Sequence, residues 1–231
     1  MKQVWHSSYE QNNYGDLFYS LIRLYQPEKV VELGTKAGYS AYHIAKGLKA
    51  NGHGTLNCYD LWEDFLESYG FDTIPKSVAE KNLEEFKEII TLKLADAFGI
   101  DKKYQQVDIL HVDIENNGEI LEKVIPAWID KVRQIIIIEG GSRERDQADI
   151  PSDYKKMPVT DWLKDFKGHQ ARVLKKMVKT PTKTNQYVVV GGYKDQQKPI
   201  AKWLKSYSNR RQDIEYLTIE PFPSVTIIRK K

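Results

Sequence analysis

Cysteine is almost absent from this sequence: among 231 residues there is one, Cys58. A single cysteine cannot form an intramolecular disulfide, and the chain therefore gives no sign of an oxidising compartment. Cys58 lies in an apolar, strand-like run, which favours a buried structural thiol over a nucleophile.

Long apolar runs are also absent. No stretch reaches the roughly 18 consecutive apolar residues that indicate a membrane span. The opening residues, MKQVWHSSYEQNN, lack the apolar core of a signal peptide. From these two features we expect a cytoplasmic protein without a membrane segment.

Charge of one sign is not in excess. The chain has 35 basic and 32 acidic residues, a net charge of +3. A nucleic-acid-binding domain more often concentrates basic residues on one face, and the basic runs here are short. We interpret these runs as solvated surface and expect no nucleic-acid partner.

The sequence does have enough apolar residues to form a core, 41% of the chain, and its strand and helix patterns alternate. Short apolar runs predict five strands, at 29–33, 55–61, 89–94, 107–114 and 134–139, with helices predicted at 17–25, 40–48, 77–88 and 118–129. Nearly continuous apolar strands separated by helices are typical of a parallel sheet covered on both faces. Ligands of such sheets bind beyond the carboxyl ends of the strands.

Beyond residue 142 the pattern loosens. The polar segment 142–158 is predicted to be a loop. Helices are predicted at 159–166 and 199–206, strands at 172–178 and 187–191, and a final antiparallel pair at 214–219 and 225–228. We interpret 1–231 as one domain, made of an N-terminal cap or helix (1–26), a ligand-binding core (27–142) and a C-terminal elaboration (143–231).

The segment KVVELGTKAGYS, residues 29–40, marks the first strand-to-helix turn. Glu32 closes the strand, and Gly34 and Gly38 frame the turn, where they let the backbone approach a ligand closely. A dinucleotide site would show G-x-G-x-x-G to hold a pyrophosphate. The spacing G-x-x-x-G, with a carboxylate two residues before it, suits a ligand that carries a cationic amino acid group.

Acidic residues follow the next two predicted strands. Asp60 ends the second strand, where a carboxylate commonly accepts both ribose hydroxyls of an adenosine group. Asp96 follows the third strand, where an adenine edge would lie. Together with the glycine turn, these positions predict a nucleoside-type ligand.

ELGTKAGYSA resembles the cofactor loop of class I methyltransferases, in particular the catechol O-methyltransferase-like and macrocin O-methyltransferase-like groups, in which E-L-G-x-x-x-G-Y-S recurs. LHVDI at 110–114 and IIIIEGG at 135–141 resemble their fourth- and fifth-strand segments, so the resemblance covers roughly residues 15–142. It implies an α/β, Rossmann-like class I methyltransferase fold with a mostly parallel sheet, helices on both faces and a C-terminal antiparallel strand pair. It also implies S-adenosylmethionine (SAM) as cofactor, held by Glu32, Gly34, Thr35, Gly38, Tyr39, Ser40, Asp60, Leu61, Asp96, Ala97 and Asp113.

Two departures from the catechol-type pattern concern a metal. Those members hold a divalent ion with an aspartate after strand four and an Asp-Asn pair after strand five. Here the first position is Asp113, but the second is Glu139-Gly140, and Asn116 stands where they carry a lysine. A catalytic Mg²⁺ is therefore not favoured, and if one binds, its ligands are Asp113 and Glu139.

Methyl transfer needs alignment of the acceptor and removal of its proton. His111 and Asp113 alternate along strand four and face the same side, so we assign them, with Glu139, as catalytic candidates. His111 is either a base that works with Asp113 or a histidine packed inside the sheet. We expect O-methylation of a small molecule. The alternatives are N-methylation of a cationic amine or guanidine, a nicotinamide-dependent oxidoreductase, and a non-catalytic binding subunit.

Six residues are assigned to the acceptor. Trp5, Tyr9 and Tyr14 belong to an aromatic N-terminal segment that either caps the site or packs as a helix on the sheet. Asn116 and, in the segment after strand five, Arg143 and Glu144 complete the set. A homodimer is left open as the assembly.

Overall fold

The computed structural model describes residues 5, 7–62, 74–114, 116–142, 155–158, 187–190, 199–221 and 223–231. Among these residues the helices are α1 (Tyr14–Tyr25), α2 (Tyr39–Asn51), α3 (Lys76–Asn82), α4 (Gly118–Trp128) and α5 (Ile200–Arg210), with short 3₁₀ turns at Ser8–Asn12, Glu84–Phe86 and Ile100–Lys103. The strands are β1 (Lys29–Leu33), β2 (Thr55–Asp60), β3 (Ile90–Leu94), β4 (Val107–Val112), β5 (Val132–Glu139), β6 (Lys155–Pro158), β7 (Tyr187–Val190), β8 (Ile214–Ile219) and β9 (Val225–Lys230).

Seven strands form one sheet in the order β3-β2-β1-β4-β5-β9-β8. The first five are parallel, and β9 pairs antiparallel with both β5 and β8. This confirms the predicted fold: a mostly parallel Rossmann-like sheet that ends in an antiparallel pair. The strand order reverses between β1 and β4, and the carboxyl ends of these two strands are where a ligand crevice is expected.

Helices cover both faces of the sheet. On one face Phe18 and Ile22 of α1 and Ile44 of α2 are fully buried against it. On the other face Leu121 of α4 and Trp203 of α5 are fully buried. All six residues of β4 are buried, as expected for a central strand with helices on either side.

Two local predictions are corrected. The helix predicted over 77–88 ends at Asn82, and a 3₁₀ turn follows it. Residues 155–158, predicted as loop, form β6, which pairs with β7 in a second sheet. KKMP carries no strand pattern of its own, so the pairing is set by a partner about 30 residues away, which local periodicity does not report.

Some sequence predictions lie outside the described residues, namely the helix at 159–166 and the strand at 172–178. Among the helices that the structure describes, none is both long and apolar enough to cross a bilayer.

Candidate functional site

The candidate site lies at the carboxyl ends of β1 and β4. Backbone pairing continues past both strands, since the Asp113 amide donates to the Leu33 carbonyl at 2.8 Å. Gly34 has a φ of +85°, and a Cβ placed there would lie 2.0 Å from the Asp113 carbonyl oxygen. Only glycine therefore allows this approach, which brings two predicted site residues together.

The loop after β1 leads directly into α2. Gly38 is the N-cap of α2, with a φ of +91° and no side-chain cap. The first amides of a helix have no partner within it. Their donors and the helix dipole make this end of α2 a favourable place for an anionic group such as a carboxylate.

Asp60, at the end of β2, binds the same loop. Its Oδ2 accepts hydrogen bonds from the Thr35 and Lys36 amides, both at 2.7 Å, and its Oδ1 accepts one from the Trp62 amide at 2.9 Å. Asp60 is half-buried. Because each carboxylate oxygen can accept more than one hydrogen bond, Oδ1 retains capacity for a further donor.

Two residues that the sequence reasoning missed also hold this loop. The Trp62 indole donates to the Lys36 carbonyl, and the Asn82 amide donates to the Ala37 carbonyl, both at 2.9 Å. Both side chains are buried. In the sequence, Trp62 follows the end of a strand and Asn82 lies near the end of a helix, and both carry polar side-chain atoms. Neither residue belongs to a motif that would have identified it as a site residue.

A buried chain of polar side chains runs under the site. Ser40 Oγ donates to Glu32 Oε1 at 2.6 Å, and the same oxygen lies 2.9 Å from His111 Nδ1. The other ring nitrogen, His111 Nε2, lies 3.2 Å from the Tyr9 hydroxyl. Tyr9 also hydrogen-bonds the Asp113 carboxylate. His111 therefore reaches Asp113 through Tyr9, and its direct partner is Glu32.

Burial controls the proton chemistry of these polar side chains. Burial, reinforced by the charges of Asp113, Glu139 and Glu32, raises the pKa of Tyr9 well above its usual value. Tyr9 thus stays protonated and has one proton to donate. That proton can be donated either to the Asp113 carboxylate or to His111 Nε2.

Glu32 retains one free acceptor. Its Oε2 is buried and has no N–H or O–H partner among the described residues. The neighbouring thiol of Cys58 is a weak donor at most. Cys58 is fully buried, as predicted, and burial, followed by the Glu32 charge, raises its pKa.

Other predicted cofactor residues flank the loop. Tyr39 is buried and its hydroxyl accepts from the Gly15 amide at 3.3 Å. Leu61 is half-buried beside Asp60. Asp96 is exposed and accepts from the Phe98 amide at 2.9 Å, and Ala97 is half-buried next to it.

The N-terminal segment does pack on the site. Trp5 lies edge-on to Tyr39, with ring centroids 5.8 Å apart, and Tyr9 is 1% exposed. The hydroxyl of Tyr14 is directed elsewhere: it lies 3.1 Å from the Ile219 carbonyl and 2.7 Å from that of Pro221. Tyr14 therefore connects α1 to the C-terminal strand pair.

Asn116 links the ends of β4 and β5. Its amide nitrogen donates to the Val112 carbonyl at 2.9 Å and to the Glu139 carbonyl at 3.0 Å. Its Oδ1 is buried without a hydrogen-bond partner among the described residues. Glu139 itself is 8% exposed. Arg143 and Glu144 lie outside the described residues.

Within the part of the chain that the structure describes, no three His, Cys, Asp or Glu side chains are grouped as metal ligands. No third His, Cys, Asp or Glu is therefore grouped with Asp113 and Glu139 among these residues. An octahedral oxygen site takes one or more carboxylates together with other oxygen donors.

Comparison with known proteins agrees with the fold. Residues 31–138 match the family model described as a methyltransferase domain. No curated protein sequence gives a significant match to the chain.

Solved structures share the fold at low sequence identity. TomG from Streptomyces achromogenes, an O-methyltransferase of tomaymycin synthesis solved with SAM, is 17% identical with a TM-score of 0.56, over 98% of this chain and 82% of that one. PaMTH1 from Podospora anserina, a methyltransferase bound to S-adenosylhomocysteine (SAH), is 14% identical with a TM-score of 0.55, over 94% and 77%. An O-methyltransferase from Bacillus cereus, in complex with SAH, is 13% identical with a TM-score of 0.55, over 95% and 81%.

Proposed function

We propose that the protein transfers the methyl group of SAM to an oxygen atom of a small molecule, because residues 31–138 match the model of a methyltransferase domain and solved methyltransferases share the fold. One observation carries the proposal. The loop from Gly34 to Gly38 lies at the switch point of the sheet, and Asp60 holds it there through two 2.7 Å hydrogen bonds. The structurally similar TomG, which was solved with SAM, supports the same reading.

The residues at the site fit SAM group by group. The amides at the start of α2 suit the carboxylate of the methionine part. Glu32 exposes no surface, so it would support the methionine part from beneath the loop, through Ser40, rather than by direct contact. Asp60 Oδ1 retains capacity for a ribose hydroxyl, and exposed Asp96 lies where the adenine edge is expected.

When bound, SAM supplies an electrophilic methyl group that is already activated, so the protein has to align the acceptor and take its proton. We place the acceptor hydroxyl beside Asp113, the half-buried member of the polar chain. Tyr9 connects Asp113 to His111, and Glu32 stabilises a positive charge on the imidazole. The protein thus has a path that accepts a proton without a metal.

The acceptor class is tested by binding and by product analysis. Isothermal titration calorimetry should detect SAH binding and no NADH binding. Purified protein incubated with SAM and separate panels of hydroxylated and amine compounds should yield methyl ethers. Methylated amines alone would establish the N-methylation alternative, and wild-type protein that does not bind SAH would contradict the cofactor.

Asp113→Asn tests the proton path, because the amide cannot accept the acceptor proton. Its SAH affinity should stay close to that of the wild type while turnover falls by about 100-fold or more. Equal turnover would remove Asp113 from the mechanism. The matched control is Asp101→Asn, at a carboxylate whose partner is Lys131, 3.0 Å away.

We also propose a cytoplasmic location and a homodimer. The buried thiol of Cys58 supports the first. For the second, β8 is an edge strand with Leu217 63% exposed and Tyr216 38% exposed, and an exposed edge with apolar side chains favours pairing with another chain. Light scattering of wild type and Leu217→Glu tests the dimer, since the charge should shift it towards monomer.

A further inference from the structure

The backbone of the cofactor loop is held by side chains that follow β2 and end α3. We propose that Trp62 and Asn82 are positioning residues for the cofactor, acting through the carbonyls of Lys36 and Ala37. This rests on the proposed function, since it assigns the loop to SAM. Neither residue belongs to the segments that carry the family resemblance.

Trp62 is fixed at both of its nitrogens. Its amide donates to Asp60 Oδ1, and its indole donates to the Lys36 carbonyl, so one residue joins the carboxylate and the loop. The side chain is 2% exposed. Its indole hydrogen bond is therefore shielded from water, and loss of the partner would leave a buried polar group unsatisfied.

The backbone at both ends of this contact is in an unusual conformation. Trp62 has a φ of +38° and Lys36 a φ of +51°. Non-glycine residues hold such angles only when surrounding contacts impose them, and these positions concentrate at functional sites. The Trp62 indole and the Asp60 carboxylate are the contacts that impose them here.

Asn82 supports the next peptide group. It is the last residue of α3, 7% exposed, and its side-chain amide donates to the Ala37 carbonyl. The following residue, Leu83, lies against the loop, because a Cβ on Gly38 would be 2.8 Å from Leu83 Cδ1. The end of α3 is therefore fitted to the loop at two adjacent positions.

Together these contacts fix the peptide planes at positions 36 and 37. With the two carbonyls bound to side chains and the Thr35 and Lys36 amides bound to Asp60, the loop is preorganised before a ligand arrives. Preorganisation lowers the entropic cost of binding. The consequence should appear in cofactor affinity and in the KM for SAM, with kcat nearly unchanged.

The test uses the full chain and SAH as the probe, measured by calorimetry. Trp62→Phe and Asn82→Ala each remove one hydrogen bond to the loop and should each raise the SAH dissociation constant about 5- to 10-fold. The matched controls are Trp203→Phe and Asn51→Ala. The first removes an indole hydrogen bond to Glu122. The second removes, at the last residue of α2, a hydrogen bond to the Ile22 carbonyl and one accepted from Arg23. Both controls should bind SAH as the wild type does, even where they lower the melting temperature equally.

The outcomes separate this inference from the proposed function. If wild type fails to bind SAH, both are overturned. If wild type binds and the Trp62 and Asn82 variants bind equally well, or lose no more affinity than their controls, only the positioning role is overturned. Should Trp62→Phe not fold, Asn82→Ala and the Asn82→Leu variant of similar volume decide the matter alone.

Discussion

Glu32 and His111 face each other across β1 and β4 with 2.9 Å between Glu32 Oε1 and His111 Nδ1, and neither side chain exposes any surface. They join the two strands at the point where the sheet order reverses. A buried carboxylate is tolerated when it is paired and hydrogen-bonded. Ser40 supplies the second hydrogen bond to the same oxygen.

Replacing His111 should destabilise the protein strongly. His111→Ala leaves the Glu32 carboxylate buried without its partner, and we expect the free energy of unfolding to fall by about 3–5 kcal/mol. Urea denaturation measures it. The control is Glu80→Gln, which breaks the partly exposed pair with Lys76 and should cost less than about 1 kcal/mol. Equal losses in the two variants would show that the buried pair has no special role.

Stability should decrease at alkaline pH, in part because of Tyr9. Its pKa is raised in the folded state, so as pH rises above about 10 the unfolded chain loses this proton first. Unfolding then becomes more favourable by up to about 1.4 kcal/mol per pH unit. Urea denaturation of wild type and Tyr9→Phe between pH 9 and 11 should show the shallower slope in the variant.

Cys58 provides an internal check on that measurement. Its pKa is also raised by burial, so its contribution should be lost as pH rises above about 8.5. The double variant Tyr9→Phe, Cys58→Ala should therefore have a flatter profile than either single variant. A wild-type profile that stays level across this range would contradict both assignments.

Asp60 should be needed for cofactor binding because it holds the loop and, in the proposed function, also accepts a ribose hydroxyl. Asp60→Ala removes the acceptor of three backbone hydrogen bonds, and SAH affinity should fall by more than about 10-fold. Calorimetry compares it with Asp96→Ala, whose carboxylate accepts only from Phe98 in the described structure. A smaller loss at Asp60 than at Asp96 would reverse the proposed roles.

Gly34 should tolerate no side chain. In Gly34→Ala the added Cβ meets the Asp113 carbonyl at 2.0 Å and the residue keeps a φ of +85°, so we expect the loop to be displaced and SAH binding to be lost. Gly52→Ala has a similar φ, +79°, with no atom within 4 Å. It should cost only about 1–2 kcal/mol of backbone strain. Normal SAH binding by Gly34→Ala would show that the close approach to Asp113 is unnecessary.

The sequence alone predicts the part of the fold whose signals are local. The strands β1 to β5 are short apolar runs bounded by glycines and polar residues, and the turn at Gly34–Gly38 is encoded within a few residues. The last strand pair was visible for the same reason. β6 was missed because its pattern depends on its partner β7.

Contacts within the site depend on the folded chain and could not be read in advance. Tyr9 meets His111 across 102 positions, and His111 meets Glu32 across 79. Alternation along β4 placed His111 on the correct face, but it suggested Asp113 as the direct partner. The register between β1 and β4 decides otherwise, since it sets Glu32 opposite His111.

The pairing of Glu32 with His111 also has a consequence for how this protein varies through descent. A lineage that replaces one of the two leaves its partner charged or polar within the sheet, and such an intermediate is poorly tolerated. Drift at one position is therefore conditional on the other. Among relatives with this strand register, the two positions should covary, and lineages that lose the histidine should carry a neutral residue in place of the glutamate.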